Sequence, residues 1–84
     1  MALRVSVISP ERTLFEGEAA SVTAPAFDGE VGILPRHAPM MTLLGKGTLR
    51  IGSGASAVRF AVEGGFLQVV DDVVRVVTEK ATAA

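Results

Sequence analysis

Phe27-Asp28-Gly29-Glu30-Val31-Gly32-Ile33-Leu34-Pro35-Arg36-His37-Ala38-Pro39-Met40-Met41-Thr42-Leu43-Leu44 carries an acidic turn, a short apolar run, two prolines and the only histidine of the chain. Asp28-Gly29 is a turn signal, because glycine tolerates positive φ and aspartate bonds its own backbone. Val31, Ile33 and Leu34 read as a short extended piece interrupted by Gly32. Pro35 and Pro39 bracket Arg36-His37-Ala38 as a connection that cannot be helical. Leu43 and Leu44 return the chain to the core.

Outward from this stretch the same grammar repeats. Leu3, Val5 and Val7 alternate with Arg4 and Ser6, the period of a half-buried strand. Ser9-Pro10-Glu11-Arg12 is a turn. Thr13 to Glu16 is a short strand closed by Gly17, and Ala20, Val22 and Ala24 alternate in the next, ended by Pro25. On the other side, Gly45-Lys46-Gly47 reads as a turn and Thr48 to Ile51 as a strand. Gly52 to Ser56 is a loop. Val58, Phe60 and Val62 face one way, and Gly64-Gly65 marks a bulge or a tight backbone approach. Phe66 to Val70 and the β-branched run Val73 to Thr78 close the sheet around an Asp71-Asp72 hairpin turn. Eight to ten short strands with turns every few residues predict an all-β fold, a sandwich or barrel. Residues 1–84 form a single domain, and 79–84 read as a frayed tail.

Composition sets the bounds. A chain of 84 residues buries only ~60% of its unfolded surface, so its stability is marginal. Hydrophobic residues make up 49%, and nine glycines and four prolines imply many turns. The net charge of −1 gives no field for nucleic acid or an anionic bilayer. Without cysteine neither a disulfide nor a thiolate zinc site is available, which fits a reducing compartment. No apolar run approaches the ~18–20 residues of a membrane span, and Arg4 and Glu11 interrupt any signal-peptide core. The chain reads as soluble, with membrane association only through a partner.

Catalytic constellations are absent from the sequence. His37 alone cannot build a multi-histidine metal site, and no Gly-x-Ser-x-Gly elbow supplies a nucleophile. Asp28 and Glu30 flank a glycine on an exposed turn, where burial does not set carboxylates up for acid–base work. Gly45-Lys46-Gly47-Thr48 lacks the phosphate-loop pattern, since Met40 stands where its first glycine belongs. Met40-Met41 with Leu43-Leu44 either fills the core or leaves an uncovered apolar face, and such a face marks an interaction site.

Asp28-Gly29-Glu30-Val31-Gly32-Ile33-Leu34-Pro35 with His37-Ala38-Pro39 resembles the signature of the epsilon subunit family of F-type ATP synthases. The likeness begins at Val7-Ile8-Ser9-Pro10-Glu11, passes through Leu14-Phe15 and Gly17, and extends to Gly64-Gly65-Phe66-Leu67, Val69 and Val73 to Thr78. It implies a flattened β-sandwich of about ten strands that joins the gamma subunit to the c-ring and rotates with both. In that role it carries no active site and no cofactor; catalysis belongs to the alpha and beta subunits of an assembly that also contains delta. By the resemblance, Asp28, Gly29, Glu30 and Pro39 face the c-ring, and Ser9, His37 and Thr42 face gamma. Arg36 stands where many relatives have glycine. The location implied is the cytoplasmic face of a bacterial inner membrane, peripheral and held there through the c-ring. Relatives commonly continue into a two-helix hairpin that inhibits hydrolysis and sometimes binds ATP. This chain stops at Ala84, so the expectation is coupling without that inhibition and without that ATP site. The alternative is a free-standing β-sandwich that binds a peptide or small ligand at a sheet edge.

Overall fold

Alternating apolar residues place eight strands among the described residues, in one continuous sheet folded over on itself. The structure, a computed structural model, describes residues 2–52 and 54–83. The strands are β1 (Leu3–Ile8), β2 (Thr13–Ala19), β3 (Val22–Ala26), β4 (Gly29–Ile33), β5 (Met40–Leu43), β6 (Lys46–Ile51), β7 (Val58–Val70) and β8 (Val73–Ala83). A single 3-10 turn, Gly54–Ser56, precedes β7. The hydrogen-bonded order is β2-β1-β8-β7-β6-β3-β4, with β5 added to β7. All pairings are antiparallel except β1 with β8, which is parallel.

The two long strands make the sandwich. Positions 65–70 of β7 pair with β5 and with positions 73–78 of β8, which continue to β1 and β2. Positions 58–63 of β7 pair with β6 and with positions 80–83 of β8, and β6 continues to β3 and β4. Each layer therefore has five strands, β7 and β8 serving both. One cluster lies between the layers: Leu3, Val5 and Val7, Val22 and Ala24, Ile33, Leu49 and Ile51, Phe60 and Val62, Leu67 and Val69, and Val74 and Val76. The all-β sandwich expected from the alternation is the architecture found.

The fold line is chemically specified. Inward positions of β7 change from even (Phe60, Val62) to odd (Leu67, Val69), yet its register against β8 never slips. Gly64 (φ 75°) and Gly65 (φ 107°) make that change of face. A Cβ on Gly65 would sit 2.0 Å from the Val77 carbonyl oxygen, so only glycine fits. The Leu44 amide donates to the Gly65 carbonyl at 2.9 Å. Thr78, the one buried polar side chain among the described residues, reaches the Gly64 and Lys80 carbonyls at 3.1 and 3.0 Å.

Several local readings are corrected. Residues 79–83 are not frayed: they extend β8, with Lys80 opposite Glu63 and Ala83 opposite Phe60. Ala84 lies outside the described residues. Lys46 and Gly47 begin β6 instead of forming a turn. Gly17 sits inside β2, its open site covered by the Phe15 ring at 3.3 Å from where a Cβ would stand. Pro25 does not end β3; pairing with β6 stops at Thr23, Pro25 stands opposite Glu30 of β4, and on its other side its carbonyl accepts the Gly45 amide at 2.8 Å, an arrangement that asks for no Pro25 N–H. In the loop expected over 52–56, Ser53 lies outside the described residues.

Candidate interaction faces

Cross-strand register assigns every side chain of the first layer to a face, because paired residues point the same way. Leu43, Phe66, Val77 and Ile8 fall in one register row across β5, β7, β8 and β1, opposite in sense to the inward row Thr42, Leu67, Val76, Val7. Four apolar side chains thus stand side by side on the outer surface. Met41 and the pair Val70 and Val73 extend the patch, with Met41 65%, Leu43 63% and Val73 47% exposed. Gln68, Arg75 and Ser6 complete the row of Met41.

The outer surface of the second layer has the opposite character. Lys46, Glu63 and Lys80 form one row; Thr48, Ala61 and Thr82 form the next. Arg50, Arg59 and Thr23 form a third. A shallow cleft of about 250 Å³ runs over this face between Lys46, Thr48, Ala61 and Glu63. The sandwich therefore has one apolar and one charged side, an asymmetry that marks the apolar side as a contact surface.

Asp28, Gly29 and Glu30 occupy the β3–β4 hairpin, whose two-residue loop is Phe27-Asp28. Gly29 takes φ 136°, and all four residues from Phe27 to Glu30 are exposed. The Phe27 amide donates to the Leu43 carbonyl at 3.0 Å, so this acidic tip stands against the far end of β5. Phe27 itself is 67% exposed beside the two carboxylates.

The remaining resemblance-derived residues are dispersed. Pro39 precedes β5 at its opposite end, so about 13 Å of extended chain separates it from Leu43 and the acidic tip. It lies instead with His37, in a cleft shared with Arg36, Asp71 and Asp72. The His37 amide donates to the Leu34 carbonyl at 3.2 Å. Its Nδ1 lies 2.7 Å from the Ala38 carbonyl, which only accepts, so Nδ1 is the donor. Ser9 closes a turn on itself: its hydroxyl donates to the Arg12 carbonyl at 3.1 Å and accepts the Arg12 amide at 3.2 Å. Ser9 is at the other end of β1 from the β7–β8 hairpin, roughly 17 Å away along the strand. Thr42 is half-buried in the edge strand, its hydroxyl a long 3.4 Å from the Leu43 carbonyl. Ser9, His37 and Thr42 are not neighbours, yet they border the apolar outer face at one end, at the other end and along its β5 edge. Among the described residues no three His, Cys, Asp or Glu side chains gather to hold a metal ion, and no helix is long and apolar enough to cross a membrane.

Two features escaped sequence reasoning. Asp71 (φ 50°) and Asp72 (φ 63°) adopt the two left-handed positions of a type I′ turn. An Asp72 carboxylate oxygen accepts the Arg36 amide at 2.6 Å, across 36 positions of sequence. No local pattern reports that contact. The φ of 70° at Arg36 is a conformation that glycine adopts most readily, and the family resemblance is what led glycine to be expected there.

Known proteins were compared with the chain on sequence and on fold. A family model described as the beta-sandwich domain of the ATP synthase Delta/Epsilon chain matches residues 2–84. The ATP synthase epsilon chain of Leptospira borgpetersenii serovar Hardjo-bovis is 47% identical over 77 residues, covering 92% of this chain and 61% of that protein. The ATP synthase epsilon chain of Rhodopirellula baltica is 47% identical over 81 residues, covering 96% and 63%. The chain thus spans about three-fifths of the length of these relatives. A chain in the cryo-EM structure of Euglena gracilis mitochondrial ATP synthase, OSCP/F1/c-ring, superposes with a TM-score of 0.88 over 98% of this chain and 53% of that one, at 24% identity, which is a likeness of fold. With the family match spanning all but the first residue and the sandwich carrying the same fold, the chain belongs to the beta-sandwich domain family of ATP synthase delta and epsilon chains.

Proposed function

We propose that this chain is a non-catalytic central-stalk subunit of an F1Fo ATP synthase, joining gamma to the c-ring so that ion-driven rotation is coupled to ATP synthesis. The observation that carries the reading is the two-sidedness of the sandwich: an apolar outer face on β5, β7, β8 and β1, and a separate exposed acidic tip at Asp28-Gly29-Glu30. A subunit that only holds two partners in register needs two contact surfaces and a stiff body, not a pocket with converging titratable groups. Gamma covers the apolar face, with Ser9, His37 and Thr42 at its border. The c-ring meets Asp28, Gly29 and Glu30; Pro39, which the resemblance assigns to the same partner, lies with His37 at the opposite end of β5 from that tip. Glu30 makes a charge-assisted contact to a basic polar loop of the ring. The subunit sits peripherally on the cytoplasmic face of a bacterial inner membrane, within an F1 assembly of alpha, beta, gamma, delta and epsilon. The relatives named ATP synthase epsilon chain support this assignment.

Reconstitution tests it. Added to epsilon-depleted F1Fo in vesicles, the chain restores ATP-driven proton pumping. Glu30→Ala weakens association with isolated c-ring about tenfold, the weight of one charge-assisted hydrogen bond. Failure of the wild-type chain to restore pumping contradicts the reading.

A further inference from the structure

We infer that Asp72 is a positioning residue that sets the shape of the 34–39 loop and, through it, binding to both proposed partners; the inference rests on the stalk reading above. Arg36, Asp71 and Asp72 are the only non-glycine residues at positive φ among those described, and all three meet here. Strained backbone of this kind persists where its surroundings hold it, and it concentrates at functional sites. The holding group is visible. The Asp72 carboxylate accepts the Arg36 amide at 2.6 Å, the short distance of a charge-assisted bond. The Asp72 carbonyl in turn accepts the Arg4 amide at 2.8 Å, which ties the hairpin to β1. Behind Arg36 the chain is closed by the His37 amide on the Leu34 carbonyl. Within three residues of Arg36 lie His37, placed toward gamma, and Pro39, placed toward the c-ring. One carboxylate therefore fixes a segment that carries a proposed contact residue for each partner, His37 for gamma and Pro39 for the c-ring.

Asp72→Gly is the decisive variant. Glycine keeps the positive φ of the second turn position, where Asp-Gly is a preferred pair, and removes only the carboxylate. Asp72→Asn keeps both an oxygen acceptor and tolerance of the left-handed conformation. Amide hydrogen exchange at Arg36 and His37 is expected to quicken about tenfold or more in Asp72→Gly, the weight of a hydrogen bond to a charged group. Affinity for purified gamma and for detergent-solubilised c-ring is expected to fall together, by about threefold to tenfold each, with Asp72→Asn close to wild type. Glu30→Ala, by contrast, lowers c-ring affinity alone. Unchanged exchange in Asp72→Gly overturns the inference, as does unchanged affinity for either partner. Lack of any gamma or c-ring binding by the wild-type chain overturns the stalk reading instead, so the two failures are separable.

Discussion

Gly65 shows how tightly one residue governs the fold. Its missing Cβ would lie 2.0 Å from the Val77 carbonyl oxygen and 2.7 Å from the Thr78 Cα, and both are backbone atoms that cannot swing aside. Gly65→Ala is expected to cost about 4 kcal/mol or more, a large share of what a domain of this size possesses. Urea unfolding followed by circular dichroism measures it, and a loss under 1 kcal/mol would show that the fold line yields. The Gly64-Gly65 pair was legible in the sequence as a bulge or close approach, because glycine inside a strand pattern has few other uses. The Arg36–Asp72 contact was not legible, because it joins residues 36 positions apart through a backbone amide that every residue but proline owns. Likewise, Asp71-Asp72 read as a hairpin turn, but its type I′ geometry was hidden by the absence of the usual glycine.

At the scale of elements, the informative feature is that the first layer has two apolar sides. The inner row Val7, Val76, Leu67 is fully buried, while the outer row Ile8, Val77, Phe66, Leu43 meets solvent. Outer-face substitutions therefore separate binding from stability. Leu43→Lys with Val73→Lys is expected to change unfolding free energy by only about 0.5 kcal/mol per site, since both side chains are already exposed. Calorimetric titration against gamma is expected to show binding weakened a hundredfold or more. A thermal melt checks the first half of that expectation, and parallel loss of fold and binding would contradict it. Strand alternation identified β1, β6 and the first half of β7 from sequence, and the cluster Met40-Met41 with Leu43-Leu44 hinted at the uncovered face, to which Met41 and Leu43 contribute while Met40 and Leu44 turn to the core. The end of β8 escaped. Glu79, Lys80 and Thr82 carry no apolar period, and what orders them is pairing with 60–63 of β7, a long-range contact no local window contains. Gly17 and Pro25 misled for the complementary reason: each reads as a breaker, but Phe15 covers the first, and the second needs only its carbonyl, which accepts the Gly45 amide, beyond its place opposite Glu30.

The whole molecule is small and stiff. Its radius of gyration is 11.2 Å, close to the roughly 12 Å expected for a chain of this length. The layers do not merely stack; β7 and β8 run through both, so sliding one layer over the other means tearing the Gly64-Gly65 corner and its Thr78 bonds. A close-packed body of that kind has low compressibility and can hold two partners in register under torque. The measurement that tests this account most directly is native mass spectrometry of the chain mixed with gamma from the same source, with Glu30→Ala and Leu43→Lys/Val73→Lys alongside. The account predicts a one-to-one complex that survives Glu30→Ala and disappears in the double lysine variant. No complex with the wild-type chain at micromolar concentration, or a complex indifferent to the two lysines, would contradict it.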